Sequence, residues 1–103
     1  IQHYIADIAT WRQQVELILY YTAWLQSNGR ECGMQAHMLK FVASEYACKA
    51  ADLGIQILGG MGYSAETDMQ RYWRDERILR IAPISNEMVR NSIAEGLGLP
   101  RSF

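Results

Sequence analysis

Cysteine is scarce in this chain: Cys32 and Cys48 are the only two among 103 residues. That is too few for the disulfide framework by which small secreted domains compensate for a small core, and it points mildly to a reducing compartment. No apolar run approaches the ~18 residues that a membrane-spanning helix needs, so no membrane span is expected. No signal-peptide pattern is visible either. Charge of one sign is also missing: the formal net charge is −1, which gives no electrostatic grip on nucleic acid or an anionic membrane. No segment alternates with period two, and no Asn-Gly hairpin signal lies between β-branched runs, which argues against a sheet. His3 and His37 have no Cys, His, Asp or Glu partners at metal-ligand spacing, and Cys32-x4-His37 alone is short of the three or four ligands zinc requires, so no metal site is expected. A nucleophile elbow and a Cys/His pair fit for nucleophilic catalysis are absent too.

What remains is an ordinary globular composition, 50% hydrophobic and 20% charged, in a chain with room for one domain and one modest core. The chain opens on Ile1 inside a helical pattern. The expectation is a single helical domain over 1–103 cut from the C-terminal part of a longer protein.

The helical pattern is explicit. Over residues 3–27, Ile8, Trp11, Val15, Ile18 and Leu25 recur at spacings of three and four with Thr22 filling the gap, which places them on one face of a helix. Leu17, Tyr20, Tyr21 and Trp24 add a second apolar flank, so this helix should pack on two sides. Asn28-Gly29 supplies the stop. After the polar loop Arg30–Gly33, Phe41, Cys48, Ala51, Ile55 and Leu58 form the stripe of a second long helix. Ala43, Ala47, Ala50 and Gly54 beside it are small enough for another helix to come close. Gly59-Gly60-Met61-Gly62-Tyr63 breaks that pattern. Thr67-x-x-Gln70 reads as a capping box opening a third helix over 67–80, which Pro83 brings to an end. Ser85 reads as the N-cap of a fourth helix over 86–95 with Val89 and Ile93 inward, ended by Gly96, Gly98 and Pro100. The predicted fold is an all-α, up-and-down four-helix bundle.

By chemistry alone the glycine segment has two readings. Bare backbone N–H groups attract anions, but the segment follows a helix rather than a strand, so it is no dinucleotide fingerprint, and local sequence favours a tight inter-helix turn. The run Arg71, Arg74, Asp75, Glu76, Arg77, Arg80 mixes both signs and reads as a surface ion-pair network. These residues specify a helical bundle but no reaction.

Between residues 55 and 90 the chain reads Ile-Gln-Ile-Leu-Gly-Gly-Met-Gly-Tyr, then Gln-Arg-Tyr-Trp-Arg-Asp-Glu-Arg-Ile, then Ser-Asn-Glu-Met-Val-Arg. This resembles the C-terminal domain of acyl-CoA dehydrogenases, which carry a Q-I-x-G-G-x-G-Y turn, an R-Y-x-R-D-x-R-I helix and a T-x-E-I-x-R segment in the same order and spacing. Three linked motifs are far more specific than any one, and the upstream helices are compatible with the same domain. The resemblance implies a longer flavoprotein with FAD at a subunit interface, assembled as a homo-oligomer, dimer or tetramer, through this bundle. It implies that Gln56, Gly59 and Gly60 contact the adenosine-diphosphate part of an FAD held mainly by a neighbouring subunit. Ser85 and Glu87 would approach FAD as well, and the Arg74-Asp75 pair would tie its helix to neighbours. An acyl-CoA substrate, electron-transfer flavoprotein as acceptor, and a cytoplasmic or mitochondrial-matrix location complete what the resemblance implies.

One position departs from the pattern. Many family members place the catalytic glutamate two residues before the Thr/Ser of the closing segment, in the order Tyr-Glu-Gly-Thr. Here those positions are Ala82, Pro83, Ile84 and Ser85, and proline accepts no proton. Two readings follow. In the first, the parent is a dehydrogenase whose base lies on an upstream helix, with Ala82, Pro83 and Ile84 lining the pocket for a bulky or branched acyl group. In the second, it is a same-fold flavin-dependent monooxygenase. A non-catalytic assembly bundle is the residual alternative. No residue of this chain is assigned a catalytic role.

Overall fold

The computed structural model of the chain describes residues 1–101. The elements run α1 (Gln2–Ser27), α2 (Gly33–Leu58), α3 (Gly60–Tyr63), α4 (Met69–Arg77), a 3₁₀ turn (Ile78–Arg80) and α5 (Asn86–Gly96), and no strand occurs among the described residues. The fold is an all-α helical bundle, as the periodicity requires.

In α1 the sequence stripe and the packed face coincide. Thr22 and Leu25 are buried, and Ile8, Trp11, Val15 and Ile18 are half-buried. The Thr22 hydroxyl donates to Ile18 O at 2.7 Å, so its polar atom enters the seam already satisfied. The helix closes as expected: Gly29 takes φ +64, Gly29 N–H donates to Gln26 O at 3.1 Å and Arg30 N–H to Leu25 O at 2.9 Å. That is the paired bonding of a Schellman stop, which a Cβ at Gly29 would strain.

Helix α2 is the hub on which every other helix packs. Ala43, Ala47 and Ala50 line a shared groove with Ile8, Trp11 and Val15 of α1, and the Tyr46 ring stacks on Trp11 with centroids 5.4 Å apart. Gly54 lies against the Met69 side chain at the start of α4. The small-residue stripe therefore does what its size allows and admits two close neighbours. Further contacts show that α4 and α5 run antiparallel to α2, end to end. Trp73 Nε1 donates to Asp52 Oδ1 at 3.1 Å and the Cys48 thiol to Glu76 O at 3.1 Å, so α4 covers the C-terminal half of α2. The Arg90 guanidinium lies 4.5 Å over the Phe41 ring, and Gly96 abuts Met34, so α5 covers the N-terminal half. The loop 81–85 between them faces the middle of α2.

Two local expectations change. The Thr67-x-x-Gln70 capping box does not form: α4 starts at Met69 with no side-chain cap. The Thr67 hydroxyl instead donates to Met61 O at 2.7 Å, closing the glycine turn, and a hydroxyl engaged there cannot cap. Arg74 and Asp75 both lie exposed, and neither bridges to another helix among the described residues; the ion pairs of this region are Arg71–Asp68 at 3.2 Å and Arg80–Glu45 at 3.0 Å. Ser85 does cap α5, its Oγ accepting from Met88 N–H at 3.3 Å.

The core is small. Leu25, Ala51 and Val89 are its buried apolar residues, and the radius of gyration is 16.1 Å where a compact chain of this length has about 13 Å. The second flank of α1, Leu17, Tyr20, Tyr21 and Trp24, is exposed. No helix among the described residues is long and apolar enough to cross a membrane.

Candidate functional site

The glycine segment is built by the end of α2. Gly59 N–H still donates to Ile55 O at 2.8 Å, then Gly59 turns the chain with φ +63 and ψ −140. Its carbonyl accepts from Gly62 N–H at 2.9 Å and Tyr63 N–H at 3.4 Å, which starts the single turn of α3. The N–H groups of Gly60 and Met61, at the start of that turn, have no partner within it. The three glycines are not equivalent. A Cβ at Gly59 or Gly60 would meet nothing within 4 Å, whereas one at Gly62 would lie 2.9 Å from the Ile55 backbone and from Leu58 Cβ. Gly62 is thus small because α2 is beside it. Gly59 and Gly60 instead leave their backbone bare to the outside, next to the exposed side chain of Gln56.

The other candidates cluster elsewhere. Ser85 and Glu87 sit at the first turn of α5, with Ser85 half-buried and Glu87 exposed. Asn86, between them, bonds Ser44 and Glu45 of α2. Gln56 lies twelve residues beyond Ser44 on the same helix, roughly 18 Å at the α-helical rise. One chain therefore does not gather Gln56, Gly59 and Gly60 with Ser85 and Glu87; it presents two separate surfaces. Ala82 and Pro83 line an apolar groove of about 300 Å³ against Lys40, Ala43, Ser44, Ala47 and Leu79. Ile84 is exposed outside that groove.

Beside the groove is a polar network that the sequence reading passed over. Asn86, only 2% exposed, donates from Nδ2 to Ser44 Oγ at 2.9 Å and to Glu45 Oε1 at 2.8 Å. Its Oδ1 accepts from Lys40 Nζ at 2.6 Å. Lys40 also donates to Leu79 O at 2.8 Å, and Arg80 Nε to Glu45 Oε1 at 3.0 Å. Burial acts to raise the Glu45 pKa, but the Asn86 hydrogen bond and the Arg80 guanidinium, with Arg90 behind it, outweigh burial and hold the carboxyl below its ordinary value of 4.5. No buried side-chain N or O among the described residues lacks a partner. Two signals were available in the sequence. Ser44 occupies the one gap in the stripe between Phe41 and Cys48, and Asn86 stands between Ser85 and Glu87 in the closing Ser-Asn-Glu motif. Cys48 is inert by comparison: burial pushes its thiol pKa up, and the proton is spent on Glu76 O. Among the described residues no group of three His, Cys, Asp or Glu is gathered as a metal site would require.

Residues 1–98 match the family model described as "Acyl-CoA dehydrogenase, C-terminal domain". This chain belongs to the acyl-CoA dehydrogenase family. It is 38% identical over 98 residues to (R)-benzylsuccinyl-CoA dehydrogenase of Thauera aromatica, a match covering 94% of this chain and 24% of that protein. Butyryl-CoA dehydrogenase from Megasphaera elsdenii superposes with a TM-score of 0.90 at 28% identity, over 93% of this chain and 25% of that one. The FAD complex of PigA superposes equally well, TM-score 0.90 at 28% identity, over 95% and 26% of the two chains. The chain thus spans about a quarter of the length of the acyl-CoA dehydrogenases it matches. The acyl-CoA dehydrogenase C-terminal domain is a helical bundle in these relatives, and the helices here follow it nearly end to end.

Proposed function

We propose that this chain is the part of an FAD-dependent acyl-CoA dehydrogenase that completes the flavin site of a neighbouring subunit and borders the acyl group. The observation that carries the reading is the bare backbone of Gly59 and Gly60 beside exposed Gln56. With no side chain in the way, the free N–H groups of that turn can reach the pyrophosphate of FAD, and Gln56 can add a hydrogen bond alongside. The roughly 18 Å of α2 between Gln56 and Ser44, where Asn86 is bonded, supports two encounters, one with a neighbour's FAD at the glycine turn and one at the start of α5. The exposed Leu17, Tyr20, Tyr21 and Trp24 support a homo-oligomer and further domains packed on α1.

In this reading Ala82, Pro83 and Ile84 border the acyl chain. An α-proton leaves to a base, the β-hydrogen leaves as hydride, and a 2,3-enoyl thioester remains. The chemistry FAD supplies when bound is acceptance of that hydride, and electron-transfer flavoprotein is the proposed onward acceptor. The base lies outside this chain: Pro83 has no atom to take the proton, and Glu45 is committed to Arg80 and Asn86. That T. aromatica relative, by its name, acts on an acyl-CoA bearing a bulky aryl substituent, which agrees with the small side chains at 82 and 83. Pro83 also motivates the second reading, a flavin-dependent monooxygenase of the same fold.

The test uses the full-length parent, whose flavin spectrum is recorded anaerobically before and after straight and branched acyl-CoAs are added. Bleaching by any of them establishes the dehydrogenase with its base upstream, and the best substrate reports the acyl pocket. A flavin that none of them bleaches overturns the reading and directs attention to oxygen consumption with reduced flavin.

A further inference from the structure

The loop 81–85 has little structure of its own. Ile81 and Ala82 N–H groups both donate to Ile78 O at 2.9 Å, Pro83 has no N–H to donate, and the chain is next held at the Ser85 cap of α5. Two charged residues of α2, five positions apart, decide where this loop lies, and each binds both of its ends. Lys40 Nζ donates to Leu79 O before the loop at 2.8 Å and to Asn86 Oδ1 after it at 2.6 Å. Glu45 Oε1 accepts from Arg80 Nε before the loop at 3.0 Å and from Asn86 Nδ2 after it at 2.8 Å. The two clips have opposite charge and share Asn86, so removing one leaves the other's buried partner incompletely satisfied.

We propose that Lys40 and Glu45 are positioning residues that set the height of the Ala82–Pro83–Ile84 segment over α2, and thereby the room left for the acyl group. The proposal rests on the acyl-bordering role given to that segment above. Ala43 and Ala47 leave the groove beneath Ala82 and Pro83 unfilled, so the height of the segment is set by the two clips, with the Ser44–Asn86 bond beside them at its far end. A displacement of an ångström there would change which acyl chains fit without touching the glycine turn, which lies well over a dozen ångströms along α2.

The experiment compares Lys40→Met, which keeps the aliphatic stem but loses the clip, with Lys40→Arg, which keeps a donor, in the flavin-loaded full-length protein. Hydrogen exchange of the peptide spanning 79–88 and the KM for each acyl-CoA of a panel are the two readouts. The expected result for Lys40→Met is exchange at least tenfold faster in that peptide, unchanged flavin content, a KM raised about tenfold and an altered order of preference between straight and branched acyl groups. Lys40→Arg should restore most of both. Unchanged exchange in a folded, flavin-loaded Lys40→Met protein overturns the clip whatever the substrate proves to be. Faster exchange with unaltered acyl preference overturns its link to the acyl group. Failure of the dehydrogenase reading shows itself separately, in a wild-type flavin that no acyl-CoA bleaches.

Discussion

The Asn86 carboxamide donates to Glu45 Oε1 at 2.8 Å from a position that is 2% exposed, and this bond joins α5 to the middle of α2. Neither residue is apolar, yet they occupy the seam where the two helices meet. Asn86→Ala removes partners from Glu45, Ser44 and Lys40 at once. Leaving buried polar groups unsatisfied costs about 1–3 kcal/mol each, and some of that is recovered where water enters beside the exposed parts of Lys40 and Arg80. The net expectation is a loss of ~2 kcal/mol, seen as a thermal midpoint lowered by several degrees in the full-length protein, with flavin content per folded protein unchanged.

Acid should weaken the same seam. The Glu45 carboxyl is held below its ordinary value of 4.5, so the stability it contributes is fully present above that value. That contribution is lost as pH falls through the lower folded pKa. Wild type and Glu45→Gln should therefore differ in thermal midpoint at neutral pH and converge as the pH falls below the ordinary value of 4.5 and through the lowered folded pKa. Thermal scans of both proteins across that range check the sign; a gap that widens on acidification would contradict it.

Neighbouring glycines should behave oppositely. A Cβ at Gly60 has open space around it, so Gly60→Val should fold and yet hold FAD more weakly in the full-length protein. Gly62→Ala drives a Cβ into the Ile55 backbone and should cost stability, on the order of 1–3 kcal/mol for overpacking. Measuring flavin content and thermal midpoint for each variant separates the two effects. Unchanged flavin content in Gly60→Val would return the turn to a purely structural role.

Alone, the 103-residue chain should be a poor domain. With Leu25, Ala51 and Val89 as its buried apolar residues and Trp24, Tyr20 and Leu17 exposed, it should bind a hydrophobic dye and self-associate at micromolar concentration. It should also fail to retain FAD. Light scattering and flavin absorbance after desalting provide the check, and a monomer holding stoichiometric FAD would contradict both expectations.

Local periodicity was enough for much of this protein. The face of α1 from Ile8 to Leu25, the Gly29 stop, the Ser85 cap and the small-residue stripe of α2 are all properties of residues within a turn or two of one another. The motif order from Gln56 to Arg90 likewise carried the family. The capping box at Thr67 failed for the complementary reason: its hydroxyl had a competing acceptor in Met61 O, six residues back across a turn whose shape no local rule supplies.

What only the tertiary structure decided is where polar residues meet across the fold. Lys40, Ser44, Glu45 and Asn86 come together because α5 runs antiparallel to α2 in one particular register, and a hydrogen bond between residues some forty positions apart leaves no trace in spacing. The same register parts Gln56 and the glycine turn from Ser85 and Glu87, which sequence order alone would have let share one site. A helix is specified by neighbours along the chain; a seam is specified by the distance and angle between helices, and those exist only once the chain has folded.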